Sequence, residues 1–397
     1  MTAPPRLAVL TDYPDEGWPS MDLCGEMLLA HLPRTGSDAV APQRICPPFR
    51  RVAGRVPVVG RRGAAFNTDR LLNRFVLFPR HARRVASHFD LFHVVDHTYA
   101  QLVHALPAER TGVYCHDLDA FRCLLEPAAD PRPRWFRALA RRILAGMQKA
   151  AVVFHSTAAV RGQIERAGLL DPAKLVHASY GLAPEFTAPE SGVRGQESGV
   201  RAGSGNLLTP DSWPLTPELA GRPWVAHVGS CIPRKRIDIL LEVVAAVRVR
   251  LPDLRLVKVG GEWSADHRDR IARHGLADAI VHVQNLSRAE LAAVYQRAGA
   301  VLVPSEAEGF GLPVVEALSC GAAVVASDIA PLREAGGPAA VYAPVGDVAA
   351  WTEVVAKALT DPTAAPPRAD RLAWAARFSW ATHAGTIAAA YHRLVKG

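Results

Sequence analysis

The segment that decides the fold runs from an apolar strand, Ala300-Val301-Leu302-Val303, through Pro304-Ser305 into Glu308-Gly309-Phe310-Gly311-Leu312-Pro313-Val314-Val315-Glu316. The apolar run suits a buried strand, and Pro313, whose missing N–H is not needed in a first turn, suits a helix start. Two glycines admit a close backbone approach, and the unpaired amides of the first turn face any anion placed before them. The helix dipole adds on the order of 0.3–1 kcal/mol for a phosphate there. Glu308 falls in the loop and Glu316 about one turn inside the helix, so both carboxylates can accept bonds from sugar or ribose hydroxyls. Taken alone, the spacing fits two solvated acids on a surface loop equally well.

Working outward, apolar strands alternate with helix-length segments along the whole chain, the pattern of an α/β protein with parallel sheets. In the first half the strands fall at 7–10, 92–96, 112–115 and 152–155, and helices are expected near 21–32, 69–89, 134–149 and 158–167. The second half repeats the logic with strands at 225–228, 254–259, 280–283, 300–303 and 323–326. Two doubly wound domains facing each other across a cleft are expected, with ligands at the carboxyl ends of their strands. The boundaries read as 1–187 for the first domain, 188–222 for a Gly/Pro/Ser-rich flexible insertion, 223–375 for the second, and 376–397 for a helix crossing back. Trp374, Phe378 and Trp380 are placed to dock this end on a domain face.

The 397 residues, 49% apolar and 21% charged, describe a globular chain long enough for two cores rather than a disordered one. No apolar run reaches the ~20 residues of a membrane span and no leader pattern opens the chain, so a cytoplasmic location is expected. Six dispersed cysteines without a C-x-x-C pair indicate reduced thiols. The net charge of +8 is uneven, with +7 before residue 187. Eleven arginines lie between Arg44 and Arg84, and Arg132, Arg134, Arg137, Arg141, Arg142 and Lys149 surround Trp135 and Phe136. Either this is an arginine-rich solvated surface, or it attracts an anionic acceptor or the inner face of an anionic membrane. Nucleic acid is not expected, because no binding motif accompanies the charge.

Several separated segments together resemble the retaining glycosyltransferases of family four, which have the two-domain GT-B fold. The resemblance runs through Val228-Gly229-Ser230, Pro233-Arg234-Lys235, Leu291, Tyr295, Pro304-Ser305 to Leu318, Gly321 and Ser327-Asp328, and more sparsely through the first half. It implies that the second domain binds a nucleoside diphosphate sugar. Arg234 and Lys235 would neutralise the diphosphate together with the Gly309-Phe310-Gly311-Leu312 backbone, Glu308 would contact the donor sugar and Glu316 would hold the ribose. The chain departs from the family at Ser230, where arginine is frequent, and at Arg236, where glycine is frequent. Both Arg234 and Arg236 therefore stand as arginines that could face phosphate.

In the first half, Tyr114-Cys115-His116-Asp117 ends a strand where the family places an active-site histidine, which makes His116 a candidate beside the donor sugar. The loop Glu16-Gly17-Trp18-Pro19-Ser20 corresponds to the family's glycine loop, so Gly17 is carried over as a diphosphate contact. Asp96 and His97 read equally as an acceptor-side pair or a strand-end turn. Asp117-Leu118-Asp119 looks like a D-x-D metal signature, but cationic side chains already compensate the phosphate here, so neither metal nor cofactor is expected. The implied activity is transfer of a hexosyl unit from a UDP- or GDP-sugar to a hydroxyl of a glycan, lipid-linked or small-molecule acceptor, with the anomeric configuration retained. A nucleotide-sugar epimerase and a noncatalytic nucleotide-sugar-binding scaffold at a membrane are the alternatives.

Overall fold

The computed structural model describes residues 4–36, 39–53, 62–186, 219 and 221–396. It contains two compact α/β units, one formed by 1–181 with 379–397 and the other by 182–378. The expected flexible insertion at 188–222 lies almost wholly outside the described residues.

The first unit holds a six-stranded parallel sheet of β1 (Arg6–Leu10), β2 (Ala41–Ile45), β3 (Leu91–Val94), β4 (Thr111–Cys115), β5 (Val152–His155) and β6 (Leu175–His177), in the order β2-β1-β3-β4-β5-β6. The second holds β7 (Trp224–Val228), β8 (Arg255–Val259), β9 (Ile280–Val283), β10 (Ala300–Val303), β11 (Val324–Ser327) and β12 (Val341–Ala343), in the order β12-β11-β10-β7-β8-β9. Both are doubly wound as expected. The winding reverses between β1 and β3 in the first sheet and between β7 and β10 in the second. Neighbouring loops part at such a switch point, which opens a crevice at the carboxyl ends of the strands.

Residues that alternate badly in sequence explain the strands missed by pattern. β2 is an edge strand whose Pro42 lacks an N–H, tolerated where one side has no partner strand, and only Ile45 is buried. β6 and β12 have three residues each, too short for a periodic signal. The central strands β4, β5, β10 and β11 are buried on both faces, as the aliphatic run of β10 and the mostly apolar sequence of the others require.

The helix expected at 69–89 is three pieces: Arg62–Leu72, a π-helical turn Asn73–Leu77, and Phe78–Val85 with Pro79 in its first turn. The turn rotates Asn73 and Arg74 inward, where both are buried. Asn73 bridges the carbonyls of Arg50 and Asp69, at 2.8 and 2.7 Å. The arginine-rich stretch is thus not simply surface charge, since Arg74 is internal and Arg51 and Arg70 are ion-paired with Asp15 and Glu16.

The three C-terminal aromatics divide between the units. Trp374 belongs to the second, its Nε1 donating to the Ala335 carbonyl at 2.8 Å, and Phe378 meets Phe310 edge-on at 5.6 Å. Trp380 opens the last helix, Trp380–Lys396, which is part of the first unit. There Tyr391 fills a slot above Gly112, where an added Cβ would meet its hydroxyl at 2.4 Å. That hydroxyl donates to the Phe92 carbonyl and meets His93 Nδ1, both at 2.9 Å.

Candidate active site

At the switch point of the second sheet, β7 runs into Gly229 and a short 3-10 turn, Pro233–Lys235, while β10 runs into Pro304-Ser305 and the glycine loop. The Glu306 amide donates to the Arg234 carbonyl at 2.9 Å and so ties the two loops together. Lys235 Nζ reaches Glu308 Oε1 at 2.5 Å, Ser305 Oγ donates to the same oxygen at 2.8 Å, and Arg234 Nη1 lies 3.8 Å from Oε2. The side chains of Lys235 and Glu308 are only 13% and 7% exposed. Two cations therefore converge on one shielded carboxylate, and the cluster carries one positive charge in excess, well placed for an anion.

Arg236 stands apart from that cluster. Its backbone is left-handed (φ 50°), and its guanidinium pairs with Asp238 at 3.0 Å and Glu306 at 3.3 Å. This chain keeps a left-handed turn at a residue with a side chain and anchors that side chain on two acids. Of the two candidate arginines, Arg234 is the one directed to Glu308.

Beneath the loop, Lys258 on β8 is wholly buried and donates to the carbonyls of Gly229 at 2.7 Å, Val259 at 3.1 Å and Gly260. Burial pulls its ammonium down to about 8, with Lys235 acting in the same direction. The loop after β8 touches the one after β7, since a Cβ on Gly261 (φ 68°) would meet the Cys231 amide nitrogen at 2.7 Å. No motif in the sequence singles out Lys258. A single lysine inside the apolar strand Leu254–Val259 was the available signal.

The glycine loop turns at Gly311 (φ 100°), which caps the helix Leu312–Ser319 without a side chain. Phe310 is buried, leaving backbone as what this stretch can offer a ligand. Glu316 belongs to a separate network: Tyr295 Oη donates to its Oε2 at 2.9 Å, and burial pushes the carboxyl up to about 7 despite Tyr295 and the more distant Arg288. The loop thus joins Arg234, Lys235 and Glu308, with Glu316 one turn further on beside Tyr295.

In the first unit, β1 and β3 end at its switch point in Asp12 and Asp96, both buried. Asp96 accepts from the Thr98 amide at 2.8 Å and its hydroxyl at 2.6 Å, and His97 Nδ1 lies 3.3 Å away. Burial alone would raise its pKa, but His97, His116 and the Thr98 bonds carry it below the usual carboxylate range. Asp12 goes the other way. Burial and the charge of Asp96 push it well up, and no described residue gives either of its carboxyl oxygens a hydrogen bond. Of the two, Asp12 is therefore the carboxyl that holds its proton more readily and Asp96 the one that gives it up.

His116 follows β4 and is buried. Its Nε2 lies 2.8 Å from the Val95 carbonyl, so that nitrogen carries the proton, and Nδ1 accepts from the Tyr180 hydroxyl. Burial lowers the ring to about 4, so it is neutral at physiological pH. Its amide donates to His97 Nδ1 at 3.3 Å, which brings the sequence candidates His116, His97 and Asp96 together. Asp117 lies 3.8 Å from His97 Nε2 and accepts from the Asp119 amide at 3.0 Å, an ordinary turn. Among the described residues, no group of three or more His, Cys, Asp or Glu side chains could hold a metal ion.

Gly17 (φ 68°) closes the turn Pro14–Glu16, and a Cβ there would touch nothing within 4 Å. Its neighbour Glu16 is the anchored residue, held by Tyr99 Oη at 2.8 Å, Arg70 at 3.0 Å and Arg74 at 3.5 Å. All six cysteines are free thiols. No helix among the described residues is long and apolar enough to cross a membrane.

This architecture has known counterparts. Residues 216–377 match the family model for glycosyl transferases group 1. The D-inositol 3-phosphate glycosyltransferase of Mycolicibacterium smegmatis is 34% identical over 200 residues, 47% of this chain and 45% of that one. Its counterpart from Stackebrandtia nassauensis is 32% identical over 304 residues, 72% and 64% of the two chains. The chain thus spans less than two thirds of the length of either relative. Among solved structures, Anabaena HepE in complex with UDP and glucose superposes with a TM-score of 0.71 over 98% of this chain and all of that one, at 16% identity. Over residues 216–377 the chain is thus similar to the group 1 glycosyl transferases, and as a whole it has the GT-B fold.

Proposed function

We propose that the chain is a retaining hexosyltransferase that moves a sugar from a UDP- or GDP-sugar to an acceptor hydroxyl. The observation that carries this reading is the convergence of Lys235 and Arg234 on Glu308 at the switch point of the second sheet. Cleavage of a sugar–diphosphate bond leaves negative charge on the departing phosphate, and fixed cations with backbone amides stabilise that charge as it grows. As the diphosphate draws Lys235 and Arg234 to itself, Glu308 is released to accept bonds from donor hydroxyls. Glu316, steadied by Tyr295, anchors the ribose. His116, neutral and fixed at both nitrogens, orients the donor sugar by its position and dipole.

Glu308 is engaged with cations rather than set up as a double-displacement nucleophile, which favours a same-face route in which the leaving phosphate takes the acceptor's proton. The solved HepE complex holds UDP and glucose, so UDP-glucose is the first donor to test. With two cations at the leaving group, transfer is expected to need no metal. The acceptor is a glycan, a lipid-linked sugar or a small molecule, and the relatives' names make inositol 3-phosphate one candidate of the last kind. The helix Arg134–Lys149 supports a peripheral site at the inner membrane face, with Trp135 57% exposed beside exposed Arg134, Arg141 and Arg142.

Incubation with UDP- and GDP-sugars, with and without acceptors, tests the reading, and NMR of the product's anomeric centre tests retention. Epimerised donor without transfer, an inverted product, or near-normal transfer by folded Glu308→Ala or Lys235→Ala protein would reject the corresponding assignment. Co-sedimentation with anionic and neutral vesicles across salt tests the membrane site, which an equal response to both would reject.

A further inference from the structure

No motif in the sequence points to Tyr180. It sits 64 residues beyond His116, yet its hydroxyl meets His116 Nδ1 in a buried contact. Around this pair, aromatic rings form a continuous column. Tyr114 stacks on His116 at 4.9 Å and 29°, and on Tyr180 at 5.2 Å and 20°. Trp380 and His383, both on the last helix, contact Tyr180 at 5.7 and 5.9 Å.

The backbone beneath Tyr180 is held as firmly as its ring. His383 Nδ1 lies 3.2 Å from the Ala178 carbonyl and 3.0 Å from that of Ser179, and Tyr114 Oη donates to the Ala178 carbonyl at 2.5 Å. Next to Tyr180, Gly181 lies so close to Trp380 that a Cβ would meet its amide nitrogen at 2.1 Å. The last helix therefore grips segment 178–181 through side chain and backbone at once.

We propose that Tyr180 is a positioning residue for His116, that the helix Trp380–Lys396 holds it in place through His383 and Trp380, and that together they lock the imidazole in one tautomer. The Val95 carbonyl requires a proton on Nε2, which leaves only a lone pair on Nδ1, and a hydroxyl is the donor that matches it. With the Tyr180 hydroxyl donating to Nδ1, the ring can neither flip nor exchange its two nitrogens without losing both bonds. The same bond favours the uncharged ring, in keeping with the lowering that burial causes. This rests on the reading of His116 as a donor-sugar contact.

The test uses the full chain carrying Tyr180→Phe, which keeps the stacked ring and removes only the hydroxyl, and separately His383→Gln. The first readout needs no activity: imidazole nitrogen NMR of the unliganded protein, with His116 assigned by its loss in His116→Ala. Tyr180→Phe is expected to shift the unprotonated Nδ1 resonance and to raise the midpoint of the His116 titration. The second readout is kinetic. Turnover should fall by about 10- to 100-fold, the loss expected from a small misplacement of an orienting group, while the donor KM stays within about twofold. His383→Gln should move both readouts in the same direction by less. Unchanged Nδ1 resonance and titration in Tyr180→Phe would overturn the positioning claim whatever the activity. A changed resonance with full turnover, or normal transfer by His116→Ala, would overturn its catalytic consequence and the role given to His116, leaving the ring's fixation as a separate, measured fact.

Discussion

Replacing Glu316 with Gln should stabilise the unliganded protein at pH 8 while weakening nucleotide binding. Burial lifts this carboxyl from an ordinary 4.5 to about 7, against the pull of Tyr295 and Arg288. In the folded state the proton is therefore held to higher pH than in the unfolded chain. Stability tied to this group is fully present below about pH 4.5 and is lost as pH rises to about 7. Each unit corresponds to about 1.4 kcal/mol, so the penalty at pH 8 is on the order of 3 kcal/mol. Gln carries no such penalty and its carbonyl can still accept from Tyr295, but its amide group must find a partner, which takes back about 1 kcal/mol. A net gain of about 2 kcal/mol in a unit of this size raises its midpoint by about 4–8 °C. Thermal melts of both proteins at pH 5 and pH 8 measure this, and the gap should nearly close at pH 5. With UDP at 100 times its dissociation constant, the natural protein should gain about 2.7 kcal/mol and Glu316→Gln clearly less. A Gln variant no more stable at pH 8, or equally stabilised at both pH values, would refute the reasoning.

Lys235→Ala leaves the shielded Glu308 with Arg234 and Ser305, and should lower stability by about 1–3 kcal/mol and turnover by orders of magnitude, read by denaturant titration and initial rates. Arg236→Gly relieves a left-handed backbone but loses the Asp238 and Glu306 pairs, so stability should change by less than about 1 kcal/mol and donor KM hardly at all; Arg234→Ala should raise that KM at least tenfold. Gly311→Ala meets both a left-handed backbone and the Leu332 Cδ2 at 2.6 Å, and should cost about 2 kcal/mol with loss of UDP binding by calorimetry. Transfer should persist in excess EDTA, and its abolition with recovery on adding a divalent ion would show that Arg234 and Lys235 do not suffice.

Legibility in sequence followed the range of the interactions. The glycine loop could be read because its glycines, Pro313 and charged residues act over a few positions, and because β10 and most of β11 are aliphatic. Its ion pair spans 73 residues, yet each partner sits beside a recognisable turn. The first unit was harder. Glu16 is fixed by Arg74 from 58 residues away and His93 meets Tyr391 across 298, with no local pattern at either end. Tyr180 and Lys258 were invisible for a related reason. Each looks like ordinary strand or loop sequence until the fold brings its polar atom to a buried partner.

The slot at Gly112 also sets an order of events during synthesis. Residues 380–396 leave the ribosome after all of 182–378, so the second unit can close on its own sheet while the first still lacks its last helix. Until Tyr391 arrives, the Phe92 carbonyl and His93 Nδ1 lack the hydroxyl that will satisfy both. The first unit, most of which is made first, therefore depends on a segment that is made after the whole of the second.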